Sequence, residues 1–487
     1  MGIVVSVGIP LSIFGLYVWK LHRAMTAVPP EALAMSPRRW TTSMVRDAAV
    51  QIAQTPLNTL PYLPPATGRR YIVVGGSGFV GGWIILHLLM RGEDPKNIRI
   101  IDIRRPVRKD MLAGKATEVE FVAADIRDVD SVRAAFNASW PTDNLKGITV
   151  IHSAAGMRYF ERDASLVYRS AALNVDGARN VLNVAQETPG VDIFLFTSSG
   201  SIPIPRTNFW AFPWNSKGQV RVAHDLDPQF TKHEEFFSNY SYTKYLAESL
   251  VRKADNRDKG FRTGCLRPGS AIYGAGGDLM AGAYLKKGIN PSWIRPIIQS
   301  MAYVENVSYA HLVYEARLIE AQTAAPDAPV QKLGGDCFLI TNTGDPISYG
   351  DLYFALNTLT DGRATFPIVP AGPMFLLAHL IEFYHLLQSR LTFLPPLQGD
   401  IINLQPSLFD LVTVHLKLDD SRARLPPSEG GLGYQAPWTT LDGVCQLVSD
   451  HLKEEAEEAK DKNANGIITS KIPSVTIPEL SSELRHR

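Results

Sequence analysis

The stretch Tyr71-Ile-Val-Val-Gly75-Gly76-Ser77-Gly78-Phe79-Val80-Gly81 decides the fold, because a β-branched run here leads into closely spaced glycines. An apolar segment of helical length follows up to Met90, so the pattern predicts a strand, a tight turn and a helix. Glycine lets the backbone turn sharply and approach a pyrophosphate, and the N–H groups at the start of a helix attract phosphate charge. The spacing G-x-x-G-x-x-G is therefore typical of a dinucleotide-binding turn.

A second predicted strand supports this interpretation. Residues 97–102 form an apolar run that ends in the carboxylate of Asp102, about 20 positions after the glycines. An acidic side chain here can accept hydrogen bonds from the adenosine ribose and repels a 2′-phosphate, which favours NAD over NADP. Arg104 and Arg105 follow directly and could offset that repulsion. We predict NAD as the cofactor.

Strands and helices alternate downstream of these motifs. Strand-like and helical patterns follow each other at residues 120–124, 131–138, 147–152, 174–186 and 191–196. Such alternation predicts a doubly wound parallel sheet with right-handed crossovers. The predicted fold class is α/β, with a Rossmann-type, NAD-binding domain over residues 69–270 and a smaller substrate-binding region over residues 271–452.

The composition of the chain limits its partners. The 487 residues carry 49 Lys and Arg against 48 Asp and Glu, so the formal net charge of +1 does not favour nucleic acid. The three cysteines, Cys265, Cys337 and Cys445, are spaced too widely for a disulfide framework or a zinc site. We therefore predict no metal site and no nucleic-acid partner.

The N-terminal residues differ in composition from the rest of the chain. Residues 2–19 contain no charged side chain, and their number is close to that of a membrane-spanning helix. Lys20 and Arg23 follow, which places the remaining chain on the cytosolic side by the positive-inside rule. A cleaved signal peptide is the alternative, although no basic segment precedes the apolar run. We predict a transmembrane anchor over residues 1–23 and a linker over residues 24–68.

Two later segments are also distinct. Residues 366–397 are apolar but interrupted by prolines, and His379, Glu382 and His385 disfavour a transmembrane helix. We predict a helix that lies in the membrane interface or lines an apolar substrate pocket, with an ordinary buried helix as the alternative. The charged residues 453–487 predict a solvated helix end followed by disorder.

A phenol and an ammonium lie four residues apart, at Tyr240 and Lys244. On a helix these side chains share a face, and a nearby cation together with an oxidised nicotinamide could lower the pKa of the tyrosine toward neutrality. Tyr240 is then a candidate general acid/base. Tyr242 is close enough in the sequence to be an alternative general acid/base. The residue four positions beyond it, however, is Leu246 and not a lysine. An aromatic cluster that packs a helix is the alternative, but hydroxyl residues at 197–201 end a predicted strand, where α/β sheets bind ligands.

These motifs together resemble the extended short-chain dehydrogenases. The matching segments, in chain order, are Gly75-x-x-Gly78-x-x-Gly81, Asp102, Ala124-Asp125-Ile126, His152-Ser-Ala-Ala155, Asn174-Val-Asp-Gly177, Thr197-Ser-Ser199, Tyr240-x-x-x-Lys244 and residues 266–274. Within that superfamily the chain resembles the branch of 3β-hydroxysteroid dehydrogenases and sterol 4α-carboxylate 3-dehydrogenases. This narrower resemblance rests on residues 303–311, 337–346 and 432–434.

The resemblance implies a role for each matching residue. Tyr240 would take the proton of the substrate hydroxyl, Lys244 would lower the pKa of Tyr240 and hold the nicotinamide ribose, and Ser199 would hydrogen-bond the reacting oxygen. Ser198 is an alternative to Ser199, and Asn174 would link Lys244 to a proton-relaying water. The implied cofactor-binding residues are Gly75, Gly78, Phe79, Val80, Gly81, Asp102, Asp125, Ile126, Ala154, Ala155, Lys244 and Pro268.

The resemblance also implies a reaction. We expect NAD-dependent oxidation of the 3β-hydroxyl of a steroid, sterol or triterpenoid, with loss of carbon dioxide where the substrate carries a carboxylate at C4. Alternatives are oxidation coupled to double-bond isomerisation and oxidation of another alcohol or a nucleotide sugar. A non-catalytic NAD(H)-binding protein is a further alternative, which the intact set of Tyr240, Lys244 and Ser199 disfavours.

Partners and location follow from these expectations. Arg158, Arg162 and Arg206 are candidate partners for a substrate carboxylate, and the alternative for each is an ordinary solvated or ion-paired arginine. The apolar N-terminus favours a lipophilic alcohol over a sugar nucleotide. We predict an enzyme of the endoplasmic-reticulum membrane with its catalytic domain facing the cytosol. A homodimer and an assembly with other sterol-processing enzymes are both left open.

Overall fold

A parallel sheet lies at the centre of the computed structural model, which describes residues 2–143, 146–210, 219–227 and 230–464. Its strands are β1 (Arg70–Val74), β2 (Ile98–Asp102), β3 (Glu120–Ala123), β4 (Ile148–His152), β5 (Val191–Thr197), β7 (Arg262–Pro268) and β11 (Asp336–Ile340). They lie in the order β11-β7-β5-β4-β1-β2-β3, and all neighbours are parallel. The order reverses between β1 and β4, where such a sheet opens a crevice for ligands. The predicted α/β class with a Rossmann-type sheet is confirmed.

Helices cover both faces of this sheet, which is why most residues of its inner strands are buried. They are α4 (Phe79–Met90), α5 (Val129–Asn137), α6 (Val167–Ala171), α7 (Ala178–Glu187), α8 (Asn239–Lys253) and α10 (Val304–Thr323). On one face, Ile84 of α4 and Leu318 of α10 belong to the same buried cluster. On the other face, Val132, Val181 and Val251 place α5, α7 and α8 in a second cluster.

A second region is built on a smaller sheet. Strands β6 (Gln219–His224), β9 (Ile298–Gln299), β12 (Ile347–Ser348) and β13 (Val414–Asp419) have the order β12-β9-β13-β6, and β8 (Ala271–Tyr273) pairs with β10 (Met301–Tyr303). The helices of this region are α9 (Ala281–Lys287), α11 (Tyr349–Leu359), α12 (Ala371–Arg390), α13 (Pro406–Val412), α14 (Ser421–Arg424) and α15 (Thr440–Ala464). The predicted boundary at residue 270 does not divide the two regions, because β6 belongs to the small sheet whereas α10 and β11 belong to the large one.

Residues 24–68, predicted to be a linker, contain structured elements instead. Helices α2 (Pro30–Met35) and α3 (Thr42–Gln54) form here. Thr41 caps α3 by accepting a hydrogen bond from the backbone N–H of Met44. Val45 of α3 is fully buried in a cluster with residues of α11 and α15. The prolines of this segment therefore mark helix boundaries within the packed protein.

The described side chains of the first helix, α1 (Gly2–Thr26), fall into two sets. Residues 9–16 are exposed throughout, whereas Leu21, Ala24 and Met25 share a buried cluster with Phe375 of α12. Within the described residues, no helix combines the length and the apolar character needed to cross a membrane. The predicted transmembrane helix over residues 1–23 is therefore not confirmed, and the side chains of residues 1–8 lie outside those described.

The segment 366–397 contains helix α12, which has apolar side chains on both its buried and its exposed side. Phe375 and Ile381 are buried, whereas Leu380 and Phe383 are both 66% exposed. The charged tail, predicted to begin at residue 453, is helical for its first part because α15 continues to Ala464. Residues 465–487, for which we predicted disorder, lie outside the described residues.

Candidate active site

A cavity of about 580 Å³ runs along the carboxyl ends of the central strands. It begins at the turn between β1 and α4, passes the ends of β2, β4 and β5, and reaches α9 and α13 of the second region. Most of the predicted site residues line it: Gly75, Gly78, Phe79, Val80, Gly81, Asp102, Ile126, Ala154, Ala155, Ser199, Tyr240, Lys244 and Pro268. The cavity therefore joins the predicted cofactor residues and the predicted catalytic residues in one continuous site.

The glycine turn lets the backbone of β1 and α4 approach the end of β4. Gly75 has φ +82°, and a Cβ atom there would lie 2.5 Å from the backbone nitrogen of Ala154. A Cβ atom on Gly81 would lie 2.3 Å from the carbonyl oxygen of Gly75. Only glycine fits at these positions, and the first turn of α4 presents unpaired N–H groups to the cavity. This arrangement suits a pyrophosphate.

Asp102 lies at the adenosine end of the cavity. Its carboxylate accepts hydrogen bonds from the backbone N–H groups of Ser77, at 3.2 Å, and Arg104, at 3.4 Å. Burial raises the pKa of Asp102 above its ordinary value, and these hydrogen bonds oppose the rise. The carboxylate thus supports the glycine turn while it also borders the cavity.

Asp125 does not line the cavity, and its predicted contact with the adenine end of the cofactor stays a prediction. Its carboxylate pairs with the Arg127 side chain at 2.6 Å, and this interaction lowers the pKa of Asp125. The neighbouring Ile126 lines the cavity, whereas Asp125 does not. The reason is local: the flexible guanidinium two residues away offers the carboxylate a charged partner.

Tyr240 and Ser199 both line the cavity, and the Ser199 hydroxyl is close enough to the phenol to influence its pKa. Tyr240 lies in the first turn of α8, which is capped by the Ser238 hydroxyl, and Ser199 lies just after the end of β5. Burial raises the pKa of Tyr240, and the Ser199 hydroxyl only partly opposes the rise. The predicted lowering, which required Lys244 and an oxidised nicotinamide together, is therefore not produced by the protein's own residues. Desolvation is the larger effect because most of the side chain is surrounded by protein atoms.

Lys244 lies one helical turn further along α8 and is buried. Its ammonium donates to the carbonyl oxygen of Thr197 at 2.6 Å and lies 4.4 Å from the centre of the Phe196 ring. Burial lowers the pKa of Lys244 to about 7, although the carboxylate of Glu248 opposes this. Among the described residues, Thr197 provides the one hydrogen-bond acceptor for this group. The other two N–H donors are available to the hydroxyls of a ribose.

The structure separates the roles of Ser198 and Ser199. The Ser198 hydroxyl donates to the buried carboxylate of Glu248 at 2.6 Å. The same carboxylate accepts two hydrogen bonds from Arg267, at 2.5 and 2.8 Å. Both serines line the cavity, but the Ser198 hydroxyl is engaged by Glu248, which leaves Ser199 as the serine that can act on Tyr240 and a substrate oxygen.

Asn174 does not line the cavity and does not contact Lys244. It lies in a π-helical turn, Ala172–Gly177, between α6 and α7. Its amide oxygen accepts from the N–H of Gly156 at 2.8 Å, and its amide nitrogen donates to Gly156 and to Thr243, both at 3.1 Å. Asn174 thus fastens the loop after β4 to α8 beside Lys244.

The rival tyrosine and the three candidate arginines lie outside the cavity. Tyr242 packs its ring against His233 and Phe236. Arg158 pairs with Glu161, Arg162 makes a two-point contact with Glu382, and Arg206 donates to the carbonyl oxygens of Phe236 and Arg162. Each arginine therefore has an ordinary partner within the protein.

Sequence motifs did not indicate the far end of the cavity. Its walls come from five separate parts of the chain and are mostly apolar: Met157, Tyr159, Phe237, Tyr284, Ile294, Tyr349, Leu408, Leu411 and Val412. Gln299 is a polar member of this wall, but its amide oxygen accepts from Ser270 and Tyr349 and its nitrogen donates to carbonyl oxygens at residues 411 and 414. A wall with its polar groups satisfied suits an apolar ligand.

The sheet order, the glycine turn and the Ser199, Tyr240 and Lys244 set define an extended short-chain dehydrogenase with a site for a nicotinamide dinucleotide. The residues present fit that cofactor, because a Cβ atom would obstruct the turn at Gly81 and Lys244 retains unpaired donors. The chain belongs to the 3-beta hydroxysteroid dehydrogenase/isomerase family, whose sequence model matches residues 72–364.

Individual relatives agree with this assignment. The 3beta-hydroxysteroid-dehydrogenase/decarboxylase isoform 2 of Arabidopsis thaliana is 27% identical over 414 residues, which cover 81% of this chain and 64% of that protein. The decarboxylating sterol-4-alpha-carboxylate 3-dehydrogenase of Saccharomyces cerevisiae is 27% identical over 281 residues, which cover 56% of this chain and 70% of that protein. The match with the plant protein thus spans less than two thirds of its length.

Solved structures show the same fold at lower sequence identity. The UDP-Glc/GlcNAc 4-epimerase of Campylobacter jejuni has a TM-score of 0.51 and 18% identity, and the match covers 80% of this chain and 100% of that one. The UDP-glucose 4-epimerase of Thermus thermophilus, in complex with NAD, has a TM-score of 0.50 and 18% identity, with coverage of 79% and 99%. These similarities concern the fold alone.

Proposed function

We propose that this protein is an NAD-dependent dehydrogenase that oxidises the 3β-hydroxyl of a sterol, steroid or triterpenoid. The observation that carries the proposal is the junction within the cavity. Ser199 and Tyr240 line the cavity between the predicted cofactor residues and an apolar wall. A hydroxyl placed at this junction meets a proton acceptor on one side, and the ring system that bears it meets apolar side chains on the other.

The chemistry divides between the cofactor and the chain. When bound, the nicotinamide supplies the acceptor for the hydride from the substrate carbon. Tyr240 takes the hydroxyl proton on its phenolic oxygen, and Ser199 donates a hydrogen bond to the same substrate oxygen as it becomes a carbonyl. Lys244 would hold the nicotinamide ribose through N–H groups that Thr197 does not use, and its positive charge would favour the ionised form of Tyr240.

The cofactor preference rests on Asp102. Its carboxylate borders the adenosine end of the cavity and is fixed by two backbone N–H groups. A carboxylate held in this way accepts hydrogen bonds from ribose hydroxyls and repels a 2′-phosphate, which supports NAD over NADP. Arg104 also borders the cavity, and its positive charge offsets part of the repulsion of a 2′-phosphate. We therefore expect NADP to be used less well than NAD, not to be excluded.

Substrates with a carboxylate at C4 form the narrower version of the proposal. Both relatives described above carry decarboxylation in their names. Oxidation at C3 yields a β-keto acid, and the electrons of the breaking carbon–carbon bond can move into the new carbonyl as carbon dioxide leaves. The chain needs only to hold the carbonyl oxygen, which Ser199 and Tyr240 contact.

We also propose that the enzyme acts at a membrane surface, on the endoplasmic reticulum and facing the cytosol. The support is an exposed apolar surface on α1 and α12, which we call the apolar face: Ile9, Leu11, Ile13, Phe14, Leu16, Trp19, Leu380 and Phe383. The two helices are joined where the backbone N–H of Ala371 donates to His22. Adjacent helices with exposed apolar side chains suit the boundary between lipid headgroups and acyl chains, where a sterol dissolves.

One assay tests the reaction and its narrower version. The protein is incubated with NAD or NADP and either a 4α-carboxy-3β-hydroxysterol or the same sterol without the carboxylate. We expect NADH with both sterols, carbon dioxide from the first, and slower reduction of NADP. NADH without carbon dioxide from the carboxysterol would reject the decarboxylating version, and no NADH from either sterol would reject the proposed function.

A single substitution tests the assignment of the base. Tyr240→Phe removes the proton acceptor, so we expect turnover to fall by at least about 100-fold while NADH still binds, because general base catalysis contributes about that much or more. NADH binding is measured by fluorescence titration. Tyr242→Phe is the matched control, since it removes a phenol two residues away that lies outside the cavity. An active Tyr240→Phe enzyme would contradict the assignment.

A further inference from the structure

A third hydroxyl extends the pair formed by Ser199 and Tyr240. The Ser201 hydroxyl oxygen lies 2.8 Å from that of Ser199, and the Ser201 backbone N–H donates to the same Ser199 oxygen at 3.2 Å. Ser201 lines the cavity and is only 4% exposed. Ser201, Ser199 and Tyr240 therefore form a series of hydroxyls that ends at the proposed reaction centre.

The backbone that carries Ser201 is held in place. The N–H of Gly200 donates to the carbonyl oxygen of Pro268 at 2.8 Å, and a Cβ atom on Gly200 would lie 2.3 Å from that oxygen. The carbonyl oxygen of Ser201 accepts from the N–H of Ile204 at 3.1 Å and from the Ser241 hydroxyl at 3.3 Å. The turn is therefore fixed from both sides, and it keeps the Ser201 hydroxyl on Ser199.

Either serine can donate in the bond between the Ser201 and Ser199 hydroxyls, and one of the two directions suits the reaction. A serine hydroxyl has one proton to donate and two lone pairs that accept. The Ser201 N–H occupies one lone pair of Ser199, and the Ser201 hydroxyl can occupy the other. With both lone pairs filled, Ser199 acts only as a donor, and its proton points to Tyr240 or to a substrate oxygen beside it. Oxidation of an alcohol needs a donor there, because negative charge develops on that oxygen.

We propose that Ser201 is a positioning residue that fixes the Ser199 hydroxyl as a hydrogen-bond donor to the reaction centre. The proposal rests on the proposed function for its effect on turnover. Its effect on Tyr240 requires only the protein and NAD. If Ser199 loses its fixed direction, it stabilises the phenolate of Tyr240 less well, and the tyrosine ionises at higher pH.

The variants Ser201→Ala, Ser201→Thr and Ser249→Ala test this role. With Ser201→Ala we expect kcat to fall about 3- to 10-fold, the size of one hydrogen bond, while KM for NAD stays unchanged. Ser201→Thr retains a hydroxyl and should recover most of the lost rate. Ser249→Ala removes a hydroxyl from α8 whose bond goes to the Tyr245 carbonyl, and it should match the unchanged protein.

A second measurement does not depend on the substrate. The titration of Tyr240 is followed by NMR of tyrosine labelled at the phenolic carbon, in the NAD complex, with Tyr240→Phe to assign the signal. We expect Ser201→Ala to raise the pKa of Tyr240 by about 0.5 to 1 pH unit and Ser201→Thr to restore it. An unshifted titration with Ser201→Ala, or an equal shift with Ser201→Thr, would overturn the role of Ser201. Failure of the unchanged protein to oxidise sterols would instead overturn the proposed function alone.

Discussion

At the residue scale, Lys244 makes the stability of the protein depend on pH. Burial lowers its pKa to about 7, whereas an unfolded chain releases this proton near 10.5. Between these values the unfolded state binds more protons, so this group makes the free energy of unfolding rise with pH, by up to about 1.4 kcal/mol per pH unit. Lys244→Met lacks this dependence. The stability advantage of the variant should be largest below pH 7 and should shrink as the pH rises toward 10.5.

Urea unfolding at several pH values between 6.5 and 9.5 measures this difference. Lys253→Met is the control, because Lys253 lies on the same helix but is exposed, so its difference from the unchanged protein should stay constant with pH. A constant difference for Lys244→Met would contradict the lowered pKa.

The sequence predicted which candidate site residues lie together where this depends on local spacing, and it missed the contacts that depend on distant partners. Tyr240 and Lys244 were predictable because residues four apart share a helix face. The choice between Ser198 and Ser199 was not, because it is made by Glu248, which is 50 positions further along the chain. The ion pair between Asp125 and Arg127 was likewise not predicted, since spacing alone does not show that Arg127 folds back onto Asp125.

At the scale of elements, the turn between β1 and α4 depends on Gly81 more than on Gly78. A Cβ atom on Gly81 would lie 2.3 Å from the Gly75 carbonyl oxygen and 2.7 Å from the Ser153 hydroxyl, whereas on Gly78 the nearest atom is the same carbonyl oxygen at 3.1 Å. Gly81→Ala forces α4 away from β1, and we expect it to lower the free energy of unfolding by about 1 to 3 kcal/mol. Gly78→Ala should lower the free energy of unfolding by less than half of that amount.

The free energy of unfolding of both variants is measured in the absence of cofactor. This separates the effect of each substitution on packing from its effect on cofactor binding. Equal losses in the free energy of unfolding for Gly81→Ala and Gly78→Ala would contradict the ranking.

The sequence predicted this turn well because strand, glycines and helix are contiguous. It predicted residues 24–68 poorly, since the apolar positions of α3, such as Val45 and Ile52, are seven residues apart within a polar, proline-flanked segment. Their burial depends on α11 and α15, which are distant in the chain.

At the scale of the whole molecule, the two regions exchange elements across the cavity. Strand β6 leaves the first region for the small sheet, and β11 returns to the edge of the large one. The walls of the substrate end come from loops that this exchange brings together. Contacts of that kind carry no periodic signal, which is why the sequence predicted the cofactor end of the site in detail and the substrate end only as a region.

The apolar face on α1 and α12 predicts that the protein binds to lipid vesicles. Burying a large apolar side chain in lipid contributes about 1.5 to 3 kcal/mol, so Leu380→Ser with Phe383→Ser should weaken binding to phosphatidylcholine vesicles by at least about tenfold. Flotation of the full chain with such vesicles measures the bound fraction. Val107→Ser is the control, because it removes an exposed apolar side chain from the loop after β2. If the double variant binds as well as this control, α12 does not contact the membrane. If removal of residues 1–16 then abolishes binding, α1 alone holds the enzyme to the bilayer.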